Sequence, residues 1–178
     1  PEVQGLEFEQ ARKLLDGATD RHEVARIVLR YAIGRFRRAV LFGVYRDRAS
    51  CIDALGDGID PEKLRHLSIP LSEPSIVSTV WSSRSHYLGA LRKTEYNIRL
   101  LRAMGRQLPL SALAIPVLVG QRPVNIIYCD NGHHRHADSD AAELLILSQA
   151  ISACYRRLFE KRRLAFGSEP APSGREVK

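Results

Sequence analysis

The chain has 178 residues, of which 44% are hydrophobic and 26% are charged. This length and balance are typical of one globular domain. The longest apolar runs, such as Ala112–Val119, are much shorter than the roughly 18 residues that cross a bilayer, and no charged-then-apolar leader precedes the first helix. We therefore expect a cytoplasmic protein without membrane insertion, and Pro1 in place of an initiator Met favours a segment of a longer chain.

The net charge of +7 is concentrated near the end of the chain. Basic side chains near a helix C-terminus complement the helix dipole, and this run lacks the glycine and aromatic pattern of nucleic-acid-binding segments. A solvated helix end is thus favoured. The alternative is a surface that binds an acidic partner or nucleic acid, of which nucleic acid is not expected. Five basic residues surround the single Glu160: Arg156, Arg157, Lys161, Arg162 and Arg163.

Hydrophobic spacing predicts the first elements. Apolar residues recur at helical intervals in Leu6–Leu15. A second helix is predicted to begin where Asp20 and Glu23 have the spacing of a capping box. Ala39–Tyr45 is apolar on both alternating faces, as in a central strand that is covered on both sides. Cys51–Leu55 is predicted to be its antiparallel partner.

Shorter elements follow in the middle of the chain. The patterns predict a helical turn at Asp60–Glu62, helices at Ser75–Trp81 and Glu95–Met104, and brief extended pieces at Ile69–Leu71 and His86–Leu88.

The last third of the chain begins with the clearest hairpin. Ser111–Val119 and Pro123–Asp130 are predicted strands joined by a three-residue connection that begins with Gly120. Asp138–Phe166 follows as a long helix with heptad-like spacing. Gly167–Lys178 is too polar to fold, so we predict one domain over residues 1–166 and a flexible polar tail over residues 167–178.

Motifs for catalysis are absent, since the sequence has no phosphate loop, no His-Glu-x-x-His run and no Gly-x-Ser-x-Gly elbow. His133, His134 and His136 crowd one polar loop, but the carboxylates at a companion spacing, Asp130 and Asp138, are better explained as a strand end and a helix cap. We predict no catalytic residue and no metal site.

The three cysteines, Cys51, Cys129 and Cys154, have no paired spacing and are expected to be reduced. The apolar neighbours of Cys129 raise a thiol pKa, and Cys154 has the position of a core or interface residue. Cys51 opens a strand beside a turn and is the better redox candidate. Because of Cys51, a thiol-dependent enzyme remains the second alternative.

Aromatic and polar side chains gather in an irregular segment after the predicted helix at Ser75–Trp81. Ligand pockets combine apolar walls with a few polar groups, so this segment is predicted to line a pocket. The alternatives are an ordinary cap over one face of the sheet and a pocket filled by large inward side chains, including Met104. The candidate ligand-binding residues are Phe42, Trp81, His86, Tyr87 and Tyr96.

Several strings, taken in order, resemble a GAF domain, a sensory and regulatory module related to PAS domains. Ala114–Asp130 is similar to the family's strand–turn–strand signature, with Ile-Pro, a glycine turn, an apolar strand and a terminal Asp. Arg38–Tyr45 resembles the first central strand. Ile69–Leu71 and Val80–Tyr87 resemble the segment that leads into the pocket-side helix, and the likeness covers Leu6–Phe166.

The sequence also departs from particular branches of that family. Asn125 stands where many GAF domains have glycine, and the Asn-Lys-x-Phe-x-x-x-Asp-Glu signature of cyclic-nucleotide GAF domains is missing. No cysteine for a bilin occurs in Trp81–Met104, and the cysteine set of the methionine-sulfoxide-reducing GAF enzymes is not recognisable. The cofactor is therefore unknown.

The resemblance implies an α+β fold: a central antiparallel sheet of five or six strands, the N- and C-terminal helices packed on one face, and a pocket-side helical segment on the other. It implies a non-catalytic regulatory domain of a bacterial signalling protein, with other domains or a signalling protein as partners and an unidentified small molecule as ligand. A pure docking or dimerisation module without ligand is the alternative.

Flanking helices of GAF domains commonly form a homodimer, so the resemblance also implies an interface. Helical spacing is equally consistent with cover by the domain's own first helices and by a second copy. The candidate interface residues are Leu144, Leu147, Ile151 and Leu158.

Overall fold

A computed structural model of the chain describes residues 3–167. Of the tail predicted over residues 167–178, Gly167 is the last residue of the final helix, and residues 168–178 lie outside the described residues. The helices are α1 (Phe8–Gly17), α2 (Arg21–Ile33), α3 (Pro61–Arg65), α4 (Ile76–Ser83), α5 (Glu95–Ala103) and α6 (Ala141–Gly167). The strands are β1 (Arg38–Tyr45), β2 (Arg48–Gly56), β3 (Ser68–Pro70), β4 (Tyr87–Gly89), β5 (Ala112–Val119) and β6 (Arg122–Asp130).

The strands form one six-stranded antiparallel sheet in the order β3-β2-β1-β6-β5-β4. The two central strands, β1 and β6, pair from Arg38 with Asp130 to Gly43 with Asn125. Both predicted hairpins are present, and the α+β class with an antiparallel sheet is confirmed.

Alternate residues of β1 point to two separate cores. Ala39 and Leu41 pack beneath α1, α2 and α6, whereas Val40 and Phe42 pack beneath α3, α4 and α5. On the first face α2 and α6 lie on the sheet, and α1 packs against both helices. This alternation explains why β1 has no polar face in the sequence.

Local signals account for where several elements begin and turn. The Asp20 carboxylate accepts a hydrogen bond from the Glu23 N–H at 2.9 Å, as the capping-box spacing predicts. The connection between β5 and β6 has two residues rather than the predicted three, because Arg122 already pairs with Val119. Gly120 has a φ of 62°, the first-position glycine typical of a type II′ hairpin turn.

Among the described residues, no helix has the length and apolar content needed to cross a membrane. The cytoplasmic location stays a prediction.

Candidate functional site

A cavity of about 170 Å³ lies on the α3–α5 face, where the starts of two helices meet the short strand β4. We name it the Tyr87 cavity after the one aromatic residue in its wall. It is lined by Pro74, Ser75, Ile76, Thr79, Tyr87, Ala90, Leu91, Arg92, Thr94 and Asn97.

Both helices that border the cavity begin at a hydroxyl cap. The Ser75 side chain accepts from the Ser78 N–H at the start of α4, and the Thr94 side chain accepts from the Asn97 N–H at the start of α5. Helix N-termini carry a partial positive charge, so the cavity is electrostatically favourable for a negative or carbonyl-bearing group. The exposed Arg92 adds a full positive charge to its wall.

The buried amide of Asn97 joins these two helix starts. Its Oδ1 accepts from the Ile76 N–H at 2.9 Å, and its Nδ2 donates to the Arg92 carbonyl at 2.9 Å. One side chain thus satisfies a free N–H of α4 and fixes the segment before α5. The relative position of the two helices depends on this amide.

Tyr87 closes the cavity from the sheet side. Its backbone pairs with Ala114 of β5, and its hydroxyl donates to the Ala90 carbonyl at 2.5 Å. The ring is therefore held against the segment that leads into α5, and its half-buried face forms an apolar wall.

The structure does not bring the other four predicted ligand residues into this cavity. Phe42 is fully buried in the core, and Trp81 lines a different groove with Arg46 and Arg84. His86 is exposed. Tyr96 lies with its ring 4.9 Å from the Arg99 guanidinium.

The ligand-binding residues predicted from the sequence do not include five other polar residues of the cavity: Ser75, Thr79, Arg92, Thr94 and Asn97. The signal that would have found two of them was present, since Ser and Thr directly before an apolar helical stretch are typical N-caps. Thr79 gives no such signal, because its place in the wall depends on where β4 and α5 pack.

Three of the four predicted interface residues are used within the chain. Leu144, Leu147 and Ile151 are buried in the core between α6 and the sheet, so they are not free to contact a second copy. Leu158 is only partly buried. Among the described side chains of α6, the large apolar ones that are exposed are Ile146 and Leu164.

All three cysteines are free thiols. Burial raises the pKa of Cys51 to about 12, with a smaller contribution from Asp53, and burial raises the pKa of Cys129 well above its ordinary value. Burial likewise raises the pKa of Cys154. Because the thiolate is the reactive form, each thiol is a weak nucleophile at neutral pH.

The clustered histidines lie close together without forming a ligand set. The rings of His133 and His134 stack at 4.4 Å, and Nδ1 of His136 lies 3.2 Å from the Ser111 hydroxyl. Within residues 3–167, no three His, Cys, Asp or Glu side chains are placed to hold a metal ion.

No protein-family model matches the sequence, and no curated protein matches it. Solved structures do. The GAF domain of a phosphoenolpyruvate-protein phosphotransferase from Coxiella burnetii is 14% identical, with a TM-score of 0.69 over 88% of this chain and 94% of that one. The chain has the fold of a GAF domain.

The same GAF fold occurs in other settings. Residues 122 to 287 of a methyl-accepting chemotaxis protein are 17% identical, with a TM-score of 0.69 over 86% of this chain and 99% of that one. The free methionine-R-sulfoxide reductase of Neisseria meningitidis, solved with its substrate, is 13% identical, with a TM-score of 0.63 over 86% of this chain and 89% of that one. The GAF fold therefore carries both domains of signalling proteins and an enzyme.

Proposed function

We propose that this GAF-fold domain is a non-catalytic sensory or regulatory module of a larger cytoplasmic signalling protein, and that the Tyr87 cavity binds its small-molecule signal. The observation that carries the proposal is the cavity itself, set between two helix N-termini that one buried amide holds together. The occurrence of the fold in a chemotaxis protein and in a phosphotransferase supports it.

The dimensions of the cavity restrict the ligand. Its volume of about 170 Å³ is close to that of an engineered cavity that takes up benzene, roughly 150 Å³. A ligand of roughly six to ten non-hydrogen atoms fits this space. The helix N-termini and Arg92 favour one that carries a carboxylate or carbonyl group.

Asn97 provides a route by which ligand binding in the Tyr87 cavity is transmitted to the rest of the domain. A ligand drives a conformational change only by binding one state better than another, and here it would do so by altering the contact between α4 and the segment before α5. The α3–α5 cluster packs on the sheet opposite to α1 and α6, so a shift of α4 reaches the outer helices through the sheet.

Native mass spectrometry of the purified chain tests this proposal. Thr79→Leu places a larger side chain in the cavity wall and is expected to abolish a retained small molecule. Ser82→Leu, at an exposed position of α4 that does not line the cavity, is the matched control and should retain it. A chain that carries no small molecule and binds none of a set of short carboxylic acids would contradict the proposal.

A docking or dimerisation module is the second candidate, and one observation favours it. Phe42 and Met104 are fully buried and fill the space that a larger ligand would need, while Leu14, Ile146 and Leu164 are exposed on α1 and α6. In this proposal the outer helices pair with those of a second copy.

Sedimentation of the chain over a range of concentrations distinguishes these candidates. Ile146→Lys is expected to shift a dimer to monomer, whereas Gln149→Lys, which places the same charge at an exposed position one turn away, should not. A monomer at every concentration would exclude dimerisation through this face.

The thiol-dependent alternative depends on Cys51. With its pKa raised to about 12, the fraction of thiolate at neutral pH is far below that of a free cysteine, so alkylation should be at least roughly 30-fold slower. An alkylation rate equal to that of free cysteine would support the thiol-dependent enzyme instead.

A further inference from the structure

A second and larger recess lies on the opposite face of the sheet, beneath the C-terminal half of α6. We name it the Asn125 groove; its volume is about 620 Å³. The floor contains Gly43, which has no side chain, beside the bulge where β2 inserts Ile52 between the partners of Leu41 and Phe42. The aromatic rings of Tyr155 and Phe159 form the opposite wall.

Asn125 lines this groove and has a hydrogen-bonding atom without a partner. The residue is 4% exposed, and its Nδ2 donates to the Phe42 carbonyl at 3.1 Å. Its Oδ1 has no partner in the protein, which is true of no other buried side-chain oxygen or nitrogen among the described residues. A buried acceptor without a partner is energetically unfavourable, so a ligand that donates a hydrogen bond here removes that penalty.

The charges around the groove all have one sign. Arg21 and Arg122 line it, and no acidic residue does so among the described residues. The Arg21 guanidinium lies 5.4 Å from the centre of the Phe159 ring, and Arg122 forms no ion pair with any residue that the structure describes. Burial raises the pKa of Tyr155 to about 12, so its hydroxyl adds no negative charge at neutral pH.

The geometry points to a binding site for a small amphipathic organic acid. Its apolar body would lie between Ile52 and the Tyr155 and Phe159 rings, and its carboxylate would pair with Arg21 and Arg122. A hydroxyl or amide N–H at its other end would donate to Asn125 Oδ1. This site shares no residue with the Tyr87 cavity, so it is independent of the function proposed above.

The probes are para-hydroxybenzoate, para-hydroxyphenylacetate and para-hydroxyphenylpropanoate, which vary the distance between a donor hydroxyl and a carboxylate. Each is titrated into the isotope-labelled full chain, and amide NMR shifts are followed. At least one acid is expected to give saturable shifts at Gly43, Val119 and Asn125. Its para-methoxy analogue, which cannot donate, should bind about tenfold more weakly.

Variants assign the contacts. Arg122→Gln, at the exposed first residue of β6, should weaken the binding of the best acid about fivefold. Arg12→Gln removes the same charge from the exposed side of α1 and should leave the affinity unchanged. Asn125→Val should make the hydroxyl and methoxy compounds bind equally.

Several results would overturn the proposal. They are the absence of saturable groove shifts with all three acids, equal binding of the methoxy analogue to the unaltered chain, no effect of Arg122→Gln, and shifts that map only to the Tyr87 cavity. Groove amides that shift with protein concentration alone would instead assign the groove to a second copy, and so would also contradict it.

Discussion

Two polar positions on β6 contrast sharply. At its end, the buried Asp130 carboxylate accepts from Arg38 Nε at 2.7 Å, Arg38 Nη2 at 2.9 Å, the Gly132 N–H at 2.8 Å and the Tyr128 hydroxyl. Near its start, Asn125 Oδ1 is also buried and accepts no hydrogen bond from any described residue. The two side chains point to opposite faces of the sheet, as their odd separation requires.

The difference separates a structural network from a candidate binding site. Arg38 also donates to the carbonyls of Met104 at 2.6 Å and Gln107 at 3.0 Å, so it ties the segment after α5 to the centre of the sheet. A network with every group satisfied stabilises the fold and has no capacity for a ligand. An unpaired acceptor in a groove has that capacity.

Breaking the Asp130 network should have the largest effect. Arg38→Met leaves a buried carboxylate without its counter-charge and should lower the free energy of unfolding by about 3–5 kcal/mol, measured by urea denaturation. Arg37→Met is the control, because the Arg37–Asp57 pair is largely exposed and should change stability by less than about 1 kcal/mol. Equal losses of stability in the two variants would show that the buried Asp130 carboxylate does not need Arg38 as its counter-charge.

Removing one donor from the same network should have an intermediate effect. Tyr128→Phe deletes the hydroxyl that donates to Asp130 but keeps the ring in the core, so stability should fall by about 1.5–3 kcal/mol. Tyr87→Phe is the matched control, since its hydroxyl bonds to a neutral carbonyl at a half-buried position. A Tyr128→Phe chain as stable as the parent would refute the importance of this hydrogen bond.

Asn125→Val should have the smallest effect. It loses the hydrogen bond to the Phe42 carbonyl and removes an unpaired buried acceptor, so the two changes offset and stability should differ by less than about 1 kcal/mol. Valine also suits a strand. A loss of stability as large as that of Arg38→Met would show that Asn125, like Asp130, is a structural residue, and the contrast between the two positions would no longer hold.

The fold could be predicted from the sequence because its signals are local. Asp20 and Glu23 mark the start of α2, and the hairpin around Gly120 is defined by apolar strands and a turn glycine. The GAF-like order of these elements follows from such signals. The predicted connection between β5 and β6 was one residue too long, because Arg122 already pairs within the hairpin although the apolar strand pattern of the sequence begins only after it.

The candidate site was only partly predictable. Trp81, His86 and Tyr96 are close in sequence, but the left-handed conformation of Arg84 (φ 55°) ends α4 and redirects the chain between them. The Tyr87 cavity depends on a bond between Ile76 and Asn97, which no periodicity reveals. Likewise, the apolar stripe of α6 has the same spacing whether the sheet or a second copy covers it.

The bond from the Ile76 N–H to the Asn97 side chain has a consequence for amide hydrogen exchange. An N–H at the first position of a helix normally has no intrahelical partner and exchanges quickly, but this one is held across two elements. Its deuterium uptake therefore measures how often α4 and the segment before α5 separate. The exchange rate of this one amide therefore reports how often the Tyr87 cavity opens, and it can be measured before any ligand is known.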